Sequence, residues 1–216
     1  MAKQHLLFIF SLILSASCFA QTEADSVVFK RTISPSLYLD YGKLVTIPSN
    51  FETKYEGGIE LLFLEKFPLI VEVGQATLSP EGAYSNGTYE SRGFYYRIGA
   101  GYYSQFLAKS KIGLTLRYAS STFSEDGRIF IESPSGTQGN FVQNLVREDL
   151  KATWYEVVVY SDQKLSDLFT IGLNIRLRVL ANYDEQSPVD VYAIPGYGRA
   201  FDKSIPAANF FLKLTF

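Results

Sequence analysis

Residues 209–216 read NFFLKLTF, and the alternation in this stretch decides the fold. Phe210, Leu212, Leu214 and Phe216 fall on one face of an extended strand, with Phe211, Lys213 and Thr215 on the other. The chain stops on Phe216 itself, with no polar tail to solvate the end.

The opposite end has the layout of a secretory signal. Lys3 and His5 precede the apolar run 6–14, and small residues lead to Ser17-Cys18-Phe19-Ala20-Gln21. The run is shorter than the roughly 20 residues that a helix needs to cross a bilayer. Cleavage is expected between Ala20 and Gln21, making 1–20 a signal peptide, 21–31 a short periplasmic lead and 32–216 the folded domain. The competing reading makes Cys18 a lipidated N-terminus, but Ser15 stands where such signals usually carry Leu.

Removing the signal removes the only Cys and the only His, so no disulfide can form and no imidazole remains for catalysis or metal binding. A net charge of −2 argues against nucleic acid as a partner. The chain holds 17 Phe and 15 Tyr, where a soluble core would more often use Leu and Ile; membrane barrels place such rings at the bilayer interfaces.

From residue 32 onward, alternating segments follow one another almost without pause. They cover about 32–41, 55–64, 69–76, 94–103, 112–123, 152–160, 170–180 and 209–216, and none shows helical periodicity. The links 65–68, 104–111 and 161–169 are short, whereas 42–54, 79–93, 124–151 and 181–208 are long. Short turns on one side and long loops on the other are the pattern of an outer-membrane barrel. The expected fold is all-β, an eight-stranded antiparallel up-and-down transmembrane β-barrel. A ten-stranded alternative would require 128–131 and 141–146 to cross the membrane, and both are short for that. Asn86-Gly87 and Asp126-Gly127 each sit between strand-like residues and predict tight hairpins. The stretch 133–140 and the last loop read as irregular.

The polar faces of these strands mix charges with very small residues: Glu72 beside Gly74 and Ala76, Arg97 beside Gly99 and Gly101, Arg117 beside Gly113 and Ala119. A solvent face has no reason to favour Gly in a strand, but a narrow barrel interior must interleave long and small side chains. Glu56, Glu60, Glu72 and Glu156 would therefore meet Arg97, Arg117, Arg176, Arg178 and Lys213 in a paired interior network, which plugs the barrel.

The chemistry on offer is sparse. Without His, the usual hydrolytic mechanisms lack their base, so no enzyme activity and no cofactor are expected. Glu125-Asp126 could form an acid pair but reads as a solvated turn. Asp184, Glu185 and Asp190 read as a solvated loop rather than a cation site.

The Ala20-Gln21 junction, the eight aromatic-rich strands and the Phe210–Phe216 pattern together resemble the small outer-membrane β-barrels of unknown function common in Bacteroidota-type bacteria. The architecture is similar to that of OmpA- and OmpX-type barrels, and no peptidoglycan-binding domain is expected to follow it. The resemblance implies residence in the outer membrane of a Gram-negative bacterium, with Phe210, Leu212, Leu214 and Phe216 read by the barrel-insertion machinery. It implies adhesion, envelope integrity or service as an accessory subunit, with lipid and another outer-membrane protein or surface ligand as partners. The outer loops or the lipid-facing wall are the expected contact surface, with the aromatic last loop (Tyr192, Tyr197 and Phe201) pointing to the loops. The alternative is a narrow channel for small solutes or ions.

Overall fold

The computed structural model describes residues 33–40, 52–81, 83–84, 86–131 and 141–216. The expected signal with Ala20 and Gln21, the lead, and the stretch 133–140 lie outside the described residues. Ten strands follow in chain order: β1 Ile33–Asp40, β2 Glu52–Phe63, β3 Phe67–Leu78, β4 Gly87–Leu107, β5 Ser110–Ile131, β6 Phe141–Lys164, β7 Phe169–Tyr183, β8 Ala193–Ile194, β9 Gly198–Arg199 and β10 Ser204–Thr215. Eight of them close an antiparallel barrel in the order β1-β10-β7-β6-β5-β4-β3-β2, while β8 and β9 form a small hairpin apart from it. The barrel is the eight-stranded one the alternation predicts. Residues 128–131 and 141–146, which a ten-stranded version would need as separate crossings, are the ends of β5 and β6.

Register turns the alternation into two surfaces. Leu37, Ile59, Val71, Ile98, Tyr118, Tyr155 and Val179 face one another in succession across β1 to β7. Every one of them is exposed, so the outer wall carries a continuous apolar ring. The other face of each strand points inward and is filled. At the end where the links are short, Tyr38, Leu62, Ile70, Tyr103, Val158, Tyr160 and Phe211 pack together. At the loop end, Tyr95, Phe123, Leu150 and Trp154 pack with Val191, Ile194 and Tyr197 of the last loop.

The inward glycines make room for these rings. Gly58 faces Tyr38, Gly74 faces Tyr95, Gly113 faces Tyr103 and Gly172 faces Phe211 directly across the ladder. A methyl group on any of the four would stand 2.0–2.5 Å from the facing ring. Each ring thus lies over the bare backbone of its neighbour, which is how so many aromatic side chains fit inside a barrel this narrow. Part of the aromatic content therefore fills the interior, in addition to any share at the bilayer interfaces.

Both predicted hairpins are corrected. Asp126 and Gly127 lie in mid-strand, with Gly127 paired to Tyr89 on one side and Leu145 on the other. β4 and β6 both extend far enough to supply partners, so continuing the ladder satisfies the backbone where a turn would not. Asn86 stands in a turn, but Gly87 already opens β4, and none of the described residues between Leu78 and the turn is in a strand. The tight turn with two residues at positive φ is instead Leu64 (50°) and Glu65 (58°), closed by Lys66 N–H donating to Phe63 C=O at 2.9 Å. Two positive φ values are what a type I′ hairpin turn needs, and here the short link imposes them without Gly or Asn.

Above the barrel wall, the last residues of β5 pair only with β4 and β6, as a three-stranded extension. It presents Phe130, Phe141 and Val146 as exposed apolar side chains.

Candidate functional site

The functional question centres on the barrel interior and on the loop that closes it. Register alone brings opposite charges across the ladder: Glu72 faces Arg97, Arg117 faces Glu156, and Glu156 faces Arg178. Arg97, which has no exposed side-chain surface, is the hub. Its Nε reaches Glu156 at 2.8 Å, and its Nη1 reaches Glu56 at 2.6 Å and Glu72 at 3.1 Å. Its Nη2 donates to the Gly196 carbonyl at 3.0 Å. Arg176 stands 3.5–3.6 Å from the same three carboxylates and donates to Asn174. Arg117 pairs with Glu72, and Arg178 lies 3.9 Å from Glu156.

Glu60 and Lys213 form a second group nearer the turn end. Lys213 Nζ bridges Glu60 at 2.8 Å and Asp162 at 2.7 Å, and the Tyr103 hydroxyl donates to the other Glu60 oxygen at 2.7 Å. The structure thus divides the nine expected interior charges into two groups, separated by aromatic packing. Lys54 (2.6 Å from Glu56) and Asp162 belong to these groups and lie outside the expected set. So do the hydroxyl of Tyr95 and the indole N–H of Trp154, which donate to Glu56 and Glu156 at 2.8 Å. The alternation places Lys54 and Asp162 on the inward face; the sequence signal was parity, obscured because both lie outside the most regular part of their strands.

Glu125 is a correction. It is buried, accepts a hydrogen bond from the Tyr89 hydroxyl and pairs with Arg147 at 2.7 Å. The cause is a bulge: β6 spends two residues, Glu148 and Asp149, opposite one on β5, with Asp149 at φ 57°. That extra residue shifts the facing of β6 and turns Arg147 inward, opposite Glu125. Glu125 and Asp126 alternate across the sheet, so they do not form an acid pair.

Apart from the short pair β8 and β9, the last loop has no regular secondary structure, as expected, yet it is fastened in place. Four side chains from the wall hold it: Arg97 on Gly196, Arg178 on the Tyr197 carbonyl (2.5 Å), Arg147 on the Val189 carbonyl (2.8 Å), and the Tyr89 hydroxyl accepting from Ala193 N–H (3.0 Å). Gly196 (φ 83°) lies against the Tyr95 ring, where a Cβ would be 2.5 Å from it. Tyr197 is fully buried on Trp154, and Tyr192 makes edge-to-face contacts with both Tyr89 and Phe201. Of the three loop aromatics expected at a contact surface, Tyr197 is turned inward and Phe201 is exposed. Asp190 accepts from the Tyr183 hydroxyl at 2.6 Å and from the amides of Gln186 and Val191. Burial opposes ionisation of Asp190, but these bonds outweigh it and hold the carboxyl below its usual range. The same contact pushes the Tyr183 hydroxyl up to about 12.

Chemically, the arrangement locks charge against charge. Carboxylates and guanidinium groups pair with one another, a loop closes one mouth, and rings fill much of the remainder. Among the described residues, no three His, Cys, Asp or Glu side chains converge as a metal site.

The family model described as "Domain of unknown function (DUF6048)" matches residues 2–215. No curated protein matches the chain. Among solved structures, the N-terminal β-barrel domain of Pseudomonas aeruginosa OprF is similar, with 11% identity and a TM-score of 0.41, over 85% of this chain and 96% of that one.

Proposed function

The chain belongs to the DUF6048 family of unknown function, and we propose that it is an integral outer-membrane β-barrel of a Gram-negative bacterium that acts by interaction. The observation carrying this is the pairing of an exposed apolar ring with a charged, filled interior. In water, so much contiguous apolar wall would drive aggregation, whereas in lipid it is the stable surface. A soluble ligand carrier would need the opposite arrangement, apolar inside and polar outside.

With its interior filled, the barrel has its outer wall and loop end left for function. The three-stranded extension with Phe130, Phe141 and Val146 is the preferred contact surface, because the last loop is largely spent on closing the mouth. The protein then serves as a non-enzymatic envelope or interaction protein, such as an accessory subunit of a larger outer-membrane complex.

The test is the particle size of tagged protein extracted from native membranes in mild detergent. A particle much larger than one barrel with its micelle supports the subunit reading, and the co-purifying chains identify the complex. A particle of single-barrel size overturns it.

A further inference from the structure

Towards the loop end, β6 keeps one neighbour and loses the other. Its pairing with β7 stops at Ala152 and Tyr183, whereas β5 stays beside it as far as Phe141. Where β7 ends, the last loop takes over for a few residues. Asp184 N–H donates to the Lys151 carbonyl at 3.0 Å, its carboxylate accepts from Lys151 N–H at 2.8 Å, and Arg147 reaches across to the Val189 carbonyl at 2.8 Å. The bulge at Glu148 and Asp149 bends the strand between these ties. Residues 141–146 lie beyond them, and among the described residues none bonds to their far edge.

Register fixes which groups that edge presents. Phe130 N–H donates to the Asn86 carbonyl on the β4 side at 2.7 Å, so Val142, its partner on β6, points its own amide and carbonyl away from β5. Alternation gives Asn144 and Val146 the same direction, while Phe141, Gln143 and Leu145 turn theirs towards β5. Six residues of strand make an edge about 20 Å long. The stretch reads FVQNLV, with no Lys, no Pro and no charge. Sheets blunt their exposed edges with such residues, with bulges or with covering loops, because a bare row of amides and carbonyls pairs with another chain. Here bulge and loop protect β6 only as far as Arg147.

What fits such an edge is an extended backbone. Val142 and Val146 are exposed beside it, with Phe130 next to Val142, so the matching strand is uncharged and apolar on that face. A second copy standing in the same membrane would carry its β6 in the same direction and could not pair with this one antiparallel. We propose that residues 141–146 of β6 accept a strand from a different protein by β-augmentation, antiparallel and in line with β7. The partner rests on the interaction reading; the chemistry of the edge does not.

The experiment is NMR titration of the folded, nitrogen-15-labelled barrel in detergent micelles with a capped, uncharged hexapeptide of alternating Val and Thr. The amides of Val142, Asn144 and Val146 are expected to shift saturably, with a Kd of about 1 mM or tighter, and to exchange with water at least about tenfold more slowly once bound. The amides of Phe141, Gln143 and Leu145, already paired to β5, should keep their exchange rates. The same peptide N-methylated at every amide keeps its side chains but loses its donors, and should bind at least about tenfold more weakly. Asn144→Pro, at an edge position where no ladder bond is lost, should weaken binding equally. Its folding is read from heat-dependent gel mobility, and the N-methylated peptide decides the matter if that variant does not fold. No saturable shift, equal binding of the N-methylated peptide, or unchanged binding by a folded Asn144→Pro protein would overturn the assignment. A large native particle from a barrel that ignores the peptide would overturn the edge alone and leave the interaction reading standing.

Discussion

Replacing Arg97 by Met should unseat the interior more than any other single charge removal. The side chain keeps most of its length but gives up the contacts to Glu56, Glu72 and Glu156 and the bond to the Gly196 carbonyl. Glu56 keeps Lys54 at 2.6 Å and Glu72 keeps Arg117, but Glu156 is left with Arg176 at 3.5 Å and Arg178 at 3.9 Å while remaining buried. Removing one side of a buried ion pair costs about 3–5 kcal/mol, far above what a surface pair contributes. The internal control is Arg92→Met. Arg92 lies 3.2 Å from Glu90, but both side chains are exposed (61% and 41%), so its loss should cost less than about 1 kcal/mol. Urea unfolding of both variants in micelles, followed by gel mobility, gives the two values. A double substitution with Glu156→Gln should recover part of the Arg97→Met cost, since contacting residues couple by about 0.5–3 kcal/mol. Equal, small costs for Arg97→Met and Arg92→Met would refute the sealed charge network, because they would mean that water solvates Arg97.

Gly74→Ala should destabilise the barrel by about 1–3 kcal/mol, because the new methyl would stand 2.3 Å from the Tyr95 ring. Gly57→Ala would meet the flexible end of Leu39 at 3.3 Å and the Tyr38 carbonyl at 3.6 Å, and should change stability by no more than about 0.5 kcal/mol; the same urea titration compares them. In the last loop, the Tyr183–Asp190 contact should hold over a defined pH range. Asp190, with its folded value lowered, contributes above the unfolded carboxylate range near about 4 and loses this as pH falls through its folded value. Tyr183, with its value raised to about 12, contributes fully below the unfolded tyrosine value of about 10 and loses this as pH rises towards 12. Tyrosine-labelled NMR of Asp190→Asn should show the Tyr183 midpoint falling back towards about 10, and an unmoved midpoint would remove Asp190 as the cause. In planar bilayers the purified protein should show no conductance steps, and steps of uniform size would establish the narrow-channel alternative.

The alternation in NFFLKLTF and its seven counterparts carried strand number, topology and facing, because period-two patterning is a local property that pairing then copies around the barrel. Glu72, Arg97, Arg117 and Glu156 each fall on the polar face of their own strand and differ in sign, and the closed ladder turns that face inward. What local pattern could not show was pairing-dependent. Asp126-Gly127 has the chemistry of a turn, yet becomes strand because β4 and β6 extend alongside it. Glu125 reads as solvated until a bulge at Glu148 and Asp149 turns Arg147 towards it. The last loop has the Pro and Gly content of an irregular segment, and only the arginines aimed at its carbonyls give it a fixed place. The ring-over-glycine pairs were half visible: the inward glycines stood out, but the rings facing them depend on register.

The central claim is that the apolar face of these strands looks outward into lipid. Trp154 is the only tryptophan of the chain and lies inside the barrel, so Trp154→Phe with Val157→Trp moves the single fluorophore to the outer wall. Fluorescence of this variant, reconstituted in bilayers whose acyl chains carry bromine, is the direct measurement. Strong quenching by the brominated lipid, with none by aqueous iodide, is the predicted result. Emission unaffected by brominated lipid would place Val157 away from the acyl chains and contradict the account.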